Sequence, residues 1–303
     1  MAGDLSARKY ARLTRPDGSR AILMDADPDL DPSTPAFLAM TDWLSARGLS
    51  VPEIFAAQAD QGLLLLEDFG DEKLTVLIQR NPKLRPDYYR LAIEALIVVR
   101  SATPAALERP SAAQMAEATM VADQWYPGAD QSELLQFRGV LEAALTDVLA
   151  SKPTVSLRDF HTDNVIWLEG REGVRKVGIL DYQDAIQTHP AYDLMSLLTD
   201  ARVTVPRALR AEMIEHYAKR TNGAVEDVTL AVAVLGAQRN LRILGIFARA
   251  ARRHGKTQHL NSLLRVYEYL SECLSHARFY GRCPDLRIML PEPTAELIAG
   301  LQK

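Results

Sequence analysis

Two short stretches of the sequence decide the fold: residues 157–164 read LRDFHTDN, and residues 179–185 read ILDYQDA. Between them lie two short apolar segments separated by a polar turn that contains glycine. This pattern predicts two short strands joined as a β-hairpin. Because the ends of a hairpin lie side by side, Asn164 and Asp181, which flank it, are expected to be neighbours in space.

The side chains at the open end of this hairpin supply the oxygen atoms that phosphoryl transfer requires. A phosphoryl group in transfer needs a divalent cation to neutralise its charge and an oriented hydroxyl to attack it. Mg²⁺ prefers oxygen ligands and keeps several waters, so Asp181, Asn164 and nucleotide phosphates are a sufficient ligand set. Asp159 would accept the proton of the attacking hydroxyl. Each residue alone could instead serve a turn or a helix cap, but the complete set with its two spacings favours catalysis.

The catalytic segment carries a resemblance to known enzymes. Arg158-Asp159 followed by four residues and Asn164 matches the end of the H-R-D-x-x-x-x-N loop of phosphoryl-transfer enzymes. LRDFHTDN, ILDYQDA and, at residues 190–198, PAYDLMSLL resemble the aminoglycoside phosphotransferase and choline kinase family, whose fold is similar to that of protein kinases. The resemblance implies Asp159 as base and Asn164 and Asp181 as magnesium ligands.

Other positions follow from the same resemblance. It implies a structural or loop-bracing role for Asp193, and His161 matches a family histidine near the base. The sequence departs from the family's His-Gly-Asp pattern, because Leu157 and Arg158 replace the His-Gly pair. We expect His161, Arg158 and Asp184 to contribute to substrate binding.

A narrower group within the family is more similar still. SARKYARL (6–13), AILMDADP (21–28), LLLLEDFGD (63–71) and QRNLRILGIFARAARRHGK (238–256) resemble segments of the anomeric sugar kinases of cell-wall recycling. Those kinases phosphorylate the 1-hydroxyl of N-acetylmuramate and N-acetylglucosamine. The resemblance is spread over nearly the whole chain, and the last segment is the most specific because a generic antibiotic kinase does not require it.

The element pattern predicts an α+β fold, β-rich at the start and mainly helical afterwards, and the resemblance implies that this fold is bilobal and protein-kinase-like. A small β-rich N-terminal lobe, residues 1–68, would bind the nucleotide, and a larger, mainly helical lobe, residues 69–303, would carry the catalytic loop and the substrate site. Apolar alternation and turn residues predict strands near residues 8–13, 20–24, 52–57, 62–67, 154–157, 165–168 and 177–180, with 62–67 buried on both faces. Helical spacing predicts helices over 35–47, 87–101, 132–150, 206–221, 225–253 and 260–279.

The expected nucleotide site is irregular. Met24 stands on the strand where a kinase-like lobe offers a lysine to the phosphates, and the following helix has no well-placed glutamate to orient one. A different phosphate contact is therefore expected, and the available cations are Arg8, Lys9 and Arg12, with a small loop at residues 3–7. Main-chain groups of Glu67 and Phe69, in the segment linking the lobes, are expected to contact adenine. The cations could alternatively be solvated strand charges.

The acceptor is predicted from charge. An antibiotic kinase needs an acidic surface for a polycation, whereas an acidic sugar needs a local cation. Residues 238–256 carry five arginines and a lysine in a chain whose formal net charge is −4. This segment, with Arg239 as the candidate contact, favours an anionic or neutral sugar, and the alternative is a solvated helix face.

The composition of the chain limits the classes of protein to which it could belong. The 303 residues are 48% hydrophobic and 24% charged, which supports a large core and excludes general disorder. The negative charge gives no support for nucleic-acid or membrane-surface binding. The longest apolar runs considered, residues 62–66 and 91–99, are too short to span a bilayer, and the first ten residues lack a secretory signal. A cytoplasmic enzyme acting on a small molecule is expected.

Three hypotheses follow. The first is an ATP- and Mg²⁺-dependent kinase that phosphorylates the anomeric hydroxyl of an amino sugar. The second keeps the fold and exchanges the acceptor for an aminoglycoside or another small hydroxyl compound. The third is a nucleotide-binding pseudokinase scaffold, suggested by Met24 and the missing glutamate, although the complete set of Asp159, Asn164 and Asp181 argues against it.

Overall fold

The computed structural model describes residues 8–100 and 107–302, which form two compact units. The first unit contains residues 8–100, 107 and 157–186, and the second contains residues 108–156 and 187–302. The loop predicted at residues 3–7 lies outside the described residues. The units are groups of packed elements, and the lobe boundary predicted at residue 68 stays a prediction.

An antiparallel sheet begins the first unit. Its strands are β1 (Lys9–Thr14), β2 (Arg20–Asp25), β3 (Ile54–Gln58) and β4 (Leu63–Glu67), in the order β1-β2-β4-β3. The β1–β2 hairpin turns through Gly18 at φ 81°, a conformation that glycine adopts without steric cost. Only Leu64 and Leu66 of β4 are fully buried. The expectation that β4 is buried on both faces is therefore wrong, because its side chains alternate between two environments.

Three helices and a second hairpin complete the first unit. The helices are α1 (Thr34–Ser45), α2 (Leu74–Arg80) and α3 (Arg85–Val99). The hairpin consists of β6 (Val165–Trp167) and β7 (Val177–Ile179). Its β7 strand is anchored to the chain before β3, because the Ile179 N–H donates to the Ser50 carbonyl at 2.8 Å and the Ser50 hydroxyl donates to the Arg175 carbonyl at 2.6 Å. The catalytic hairpin therefore packs with N-terminal elements.

The second unit is mainly helical. It contains α4 (Ala112–Glu117), α5 (Val121–Trp125), α6 (Gln131–Val148), α7 (Tyr192–Leu198), α8 (Arg207–Arg220), α9 (Val225–His254), α10 (Leu263–Leu274), α11 (Leu286–Met289) and α12 (Ala295–Leu301). Strands β5 (Thr154–Ser156) and β8 (Ile186–Thr188) pair as a short sheet. Within this unit the Ser156 hydroxyl donates to the buried Asp193 carboxylate at 2.8 Å, which confirms a structural role for Asp193.

Helix α9 forms the centre of the second unit. Its 30 residues contribute Val234, Leu235, Leu241 and Leu244 to a core shared with α4, α6 and α10. Within residues 8–100 and 107–302 it is the one helix long and apolar enough to cross a membrane, but most of that length is buried in the protein. The sequence analysis predicted this helix but did not weigh it as a membrane span, and its buried apolar residues are those of a core helix.

Candidate active site

The hairpin predicted between the two catalytic segments is confirmed. Strands β6 and β7 pair in antiparallel register with Val165 opposite Ile179. One residue beyond that pair, the Leu180 N–H donates to the Asn164 carbonyl at 2.9 Å. This register sets Asn164 beside the strand end that leads into Asp181.

Asn164 links the other two predicted site residues, Asp159 and Asp181. Its Nδ2 donates to the main-chain carbonyl of Asp159 at 2.9 Å and to Oδ2 of Asp181 at 3.3 Å. The same Nδ2 lies 3.2 Å from Nε2 of His161, which is only 4% exposed. One amide therefore fixes the catalytic loop to the hairpin-borne carboxylate, and His161 lies behind that amide.

Two residues of the site have unusual backbone conformations. Arg158 has φ 68° and Asp181 has φ 61°. Both values lie in the left-handed region of backbone conformation, which residues other than glycine rarely adopt. Such residues persist only where their surroundings hold them, and they are concentrated at functional sites. Glycine would adopt the conformation of Arg158 without steric cost.

The strain at Arg158 gives a testable expectation for stability. Arg158→Gly should be more stable than Arg158→Ala by about 1–2 kcal/mol, because both variants lose the side chain but only glycine adopts positive φ without steric cost. Urea unfolding of the two variants measures the difference. Equal stabilities would show that the left-handed conformation at residue 158 carries no strain.

Gln183 is a site residue that the sequence analysis missed. Its Nε2 donates to Oδ1 of Asp181 at 2.9 Å and to Oδ2 of Asp184 at 3.0 Å, and the residue is buried. A single amide group therefore bridges two carboxylates on the loop after β7. Arg158 also contacts this loop, since its Nη1 lies 3.4 Å from the main-chain carbonyl oxygen of Asp184. The feature of the sequence that could have identified Gln183 is its position between Asp181 and Asp184.

Tyr182 anchors the chain immediately after Asp181. It is fully buried, its ring stacks on Phe37 of α1 at 5.0 Å between centroids, and its hydroxyl lies 2.8 Å from the Thr41 hydroxyl. Burial raises the pKa of the Tyr182 phenol, so it remains protonated. Helix α1 therefore supports the position of Asp181 through its neighbour.

The predicted nucleotide contacts have different surroundings. Met24 is only 1% exposed and belongs to the core beneath the sheet, whereas Lys9 is exposed on β1. Arg12 is 2.7 Å from Oδ2 of Asp68 and 2.9 Å from Oδ1 of Asp71, so it links β1 to the segment after β4. Contacts of Met24, Lys9 and Arg12 with a nucleotide stay predictions.

The segment after β4 packs on the catalytic hairpin. The Glu67 carboxylate pairs with Arg171 at 2.5 Å, and the Arg171 guanidinium lies 5.1 Å from the centre of the Phe69 ring. The Phe69 ring also covers Gly178 of β7, where a Cβ atom would lie 2.8 Å from the ring and 3.0 Å from the Ile166 carbonyl oxygen. Glycine at residue 178 thus allows close approach of this segment to the hairpin.

Gly178→Ala should consequently lower the free energy of unfolding by roughly 1–3 kcal/mol, the usual cost of overpacking. Gly170→Ala is the matched control in the same hairpin, since a Cβ there has no atom within 4 Å. Denaturant unfolding of both variants provides the comparison. A Gly178→Ala variant as stable as the control would contradict the close packing of Phe69 on β7.

The basic segment of α9 is not one exposed face. Arg239 is only 5% exposed and Arg242 is half-buried. Arg249, Arg252 and Arg253 are exposed near the end of the helix. The expectation of a single basic face is wrong, because these residues differ in their position around a core helix. A substrate contact of Arg239 stays a prediction.

The donor set of the site fits magnesium. Within residues 8–100 and 107–302, no group of three or more His, Cys, Asp or Glu side chains could hold a metal by itself. Asp181 and Asn164 offer one carboxylate and one amide oxygen, and Asp181 is 47% exposed. Mg²⁺ is commonly bound by one or two carboxylates together with waters and substrate phosphates. The residues present therefore suit an ion that arrives with a nucleotide.

A catalytic loop with this aspartate and asparagine, followed by a hairpin-borne aspartate, defines a kinase-type phosphotransferase. The model of the phosphotransferase enzyme family matches residues 1–228, and the chain belongs to this family. The N-acetylmuramate/N-acetylglucosamine kinase of Caulobacter vibrioides is 32% identical over 91% of this chain and 87% of that protein. The kinase of the same name from Pseudomonas aeruginosa is 27% identical over 96% of this chain and 88% of that protein.

Solved structures agree with the fold. A choline/ethanolamine kinase family protein from Mesorhizobium loti aligns with a TM-score of 0.64 at 13% identity, covering 99% of this chain and 94% of that one. A choline kinase from Streptococcus pneumoniae aligns with a TM-score of 0.61 at 11% identity, covering 90% and 92%. The α+β, kinase-like fold predicted from the sequence is confirmed, and the protein is a phosphotransferase.

Proposed function

We propose that this protein is an ATP- and Mg²⁺-dependent kinase of the anomeric hydroxyl of N-acetylmuramate or N-acetylglucosamine, acting in cell-wall recycling. The observation that carries the proposal is the Asn164 amide, which contacts both the Asp159 main chain and the Asp181 carboxylate. The acceptor is supported by the names of relatives that align with more than nine tenths of the chain. ATP as co-substrate also favours a cytoplasmic location.

The chemistry follows from the roles of the three residues. Mg²⁺, when bound, neutralises part of the negative charge of the nucleotide phosphates. Asp181 and Asn164 would hold that ion beside the nucleotide. Asp159 would accept the proton of the sugar 1-hydroxyl as its oxygen bonds to the γ-phosphorus and the bond to ADP breaks. The products are the sugar 1-phosphate, ADP and a proton that passes from Asp159 to solvent.

The nucleotide base has a suitable place after β4. Within the described residues, the main-chain N–H and carbonyl of Phe69 make no hydrogen bond, so they offer one donor and one acceptor. We assign Glu67 and Phe69 to adenine through main-chain groups. Their side chains are occupied elsewhere, with Arg171 and with Gly178.

Four residues are assigned to the sugar side of the site. Arg158 and the exposed Asp184 lie on the loops that flank Asp159 and Asp181. His161 is buried behind Asn164, so its contribution would pass through that amide. Arg239 of α9 is the fourth, as a buried cation that suits an anionic sugar.

A substrate screen tests the proposal. Purified protein is offered N-acetylmuramate, N-acetylglucosamine and kanamycin with ATP and Mg²⁺, and the products are identified by phosphorus NMR. A phosphate ester on the anomeric carbon of an amino sugar is expected. Phosphorylation of kanamycin alone, or of a hydroxyl other than the anomeric one, would contradict the proposal.

A further inference from the structure

In the part of the first unit that the structure describes, the strand and helix positions that usually supply a lysine–glutamate ion pair to nucleotide phosphates carry neither residue. Met24 occupies the expected lysine position and is buried in the core. Helix α1 contains no glutamate, so it cannot supply the glutamate carboxylate that usually orients such a lysine. A phosphotransferase with this composition needs another cation near the metal-binding carboxylate, because the phosphates carry several negative charges.

Arg8 has the position that this role requires. It immediately precedes β1, its side chain is 6% exposed, and its Nε donates to Oδ2 of Asp31 at 2.8 Å. Its Nη1 lies 3.6 Å from Oδ1 of Asp181. The guanidinium is thus placed between the partly exposed carboxylate of Asp31 and the half-exposed carboxylate assigned to Mg²⁺.

Asp31 is itself held in place. The Ser33 hydroxyl donates to its Oδ1, and the Ser33 N–H donates to the same oxygen at 3.1 Å. Burial alone would raise the pKa of Asp31, but the hydrogen bonds from Ser33 and Arg8 lower it below its usual value. The carboxylate that holds Arg8 is therefore ionised and fixed just before α1.

We propose that Arg8 and Asp31 form the ion pair that replaces the missing lysine and glutamate. Arg8 binds the nucleotide phosphates next to Asp181, and Asp31 is the positioning residue that orients it. A guanidinium has five N–H donors in a planar fork, so Arg8 can keep its hydrogen bonds to Asp31 and Tyr10 while it contacts a phosphate oxygen. The inference rests on the proposed function for the nucleotide site and adds a phosphate contact to it.

Calorimetric binding of ADP and of adenosine, each with Mg²⁺, tests the pair. Arg8→Met should weaken ADP binding about tenfold to a hundredfold, the usual effect of losing a charged hydrogen bond, while adenosine binding stays unchanged. Asp31→Asn should weaken ADP binding in the same direction by a smaller factor. Arg8→Lys should recover part of the loss, since lysine retains charge without the fork.

The matched controls are Arg90→Met and Asp87→Asn, which remove an exposed arginine–aspartate pair at 2.8 Å on α3. Both controls should bind ADP as the unmodified protein does. Arg8→Met binding ADP with unchanged affinity would overturn the inference. If Arg8→Met does not fold, unchanged discrimination between ADP and adenosine in Arg8→Lys and Asp31→Asn overturns it equally.

The experiment separates this inference from the proposed function. Unmodified protein that binds neither ADP nor adenosine would contradict the nucleotide site itself, and the ion-pair inference with it. Unmodified protein that binds ADP, beside Arg8 variants that bind it equally well, would leave the proposed function intact and exclude only the phosphate contact of Arg8.

Discussion

Replacement of Asp159 by Asn should lower kcat by about 10²- to 10⁴-fold, the usual contribution of a general base. The amide is close in size to the carboxylate but cannot accept the proton of the attacking hydroxyl. Binding of Mg²⁺ and ADP should be nearly unchanged, because the proposed ion ligands are Asn164 and Asp181. Initial rates and calorimetric ADP binding measure the two effects separately.

The fold should tolerate this substitution. The Asn164 amide contacts the main-chain carbonyl of residue 159, and the N–H of residue 159 donates to the Leu157 carbonyl at 2.8 Å. These main-chain contacts of the loop do not depend on the side chain that is changed. Thermal unfolding should therefore give a similar Tm for both proteins.

Asp87→Asn serves as the control, since it makes the same chemical change at an exposed position of α3. It should leave kcat unchanged. An Asp159→Asn variant with the rate of the unmodified enzyme would exclude Asp159 as the base. A parallel loss of ADP affinity would instead indicate that Asp159 belongs to the nucleotide or ion site.

The core of the site could be predicted because it is local in sequence. Asn164 and Asp181 are 17 residues apart across one hairpin, so recognising the two strands was sufficient to bring them together. The same reasoning recovered the β1–β2 hairpin and α9. Hydrophobic periodicity and turn residues identify helices and hairpins, in which the residues in contact lie within a few tens of positions of each other in the sequence.

Contacts between distant segments could not be predicted in this way. Arg8 pairs with Asp31, which lies 23 residues later in the chain, and its Nη1 is 3.6 Å from Oδ1 of Asp181, in the loop after β7. No local pattern identifies such a partner, because the contact depends on how the sheet, α1 and the catalytic hairpin pack. The burial of Arg239 was missed for the same reason, since charge alone indicated an exposed face.

Asp181→Asn is the second substitution for which we expect a large effect, roughly a thousandfold loss of kcat together with a higher Mg²⁺ requirement. The carboxylate accepts from Asn164 through Oδ2 and from Gln183 through Oδ1. An amide at this position turns its own NH₂ group toward one of those donors and removes the charge assigned to the ion. Charge stabilisation by a bound metal is worth several kcal/mol, which sets the expected size of the loss.

Asp184→Asn provides a comparison that separates ion binding from general disruption. Asp184 accepts from the same Nε2 of Gln183 at 3.0 Å, so both variants disturb the hydrogen bonding of the Gln183 amide. Rates measured across a Mg²⁺ titration should show a raised half-saturating concentration for Asp181→Asn and an unchanged one for Asp184→Asn, whose effect should fall on the KM for the sugar. If both variants shift the Mg²⁺ requirement equally, the ion depends on the bridged pair of carboxylates and not on Asp181 alone. If neither does, Asp181 is not an ion ligand and its role is to hold Arg8 and Asn164.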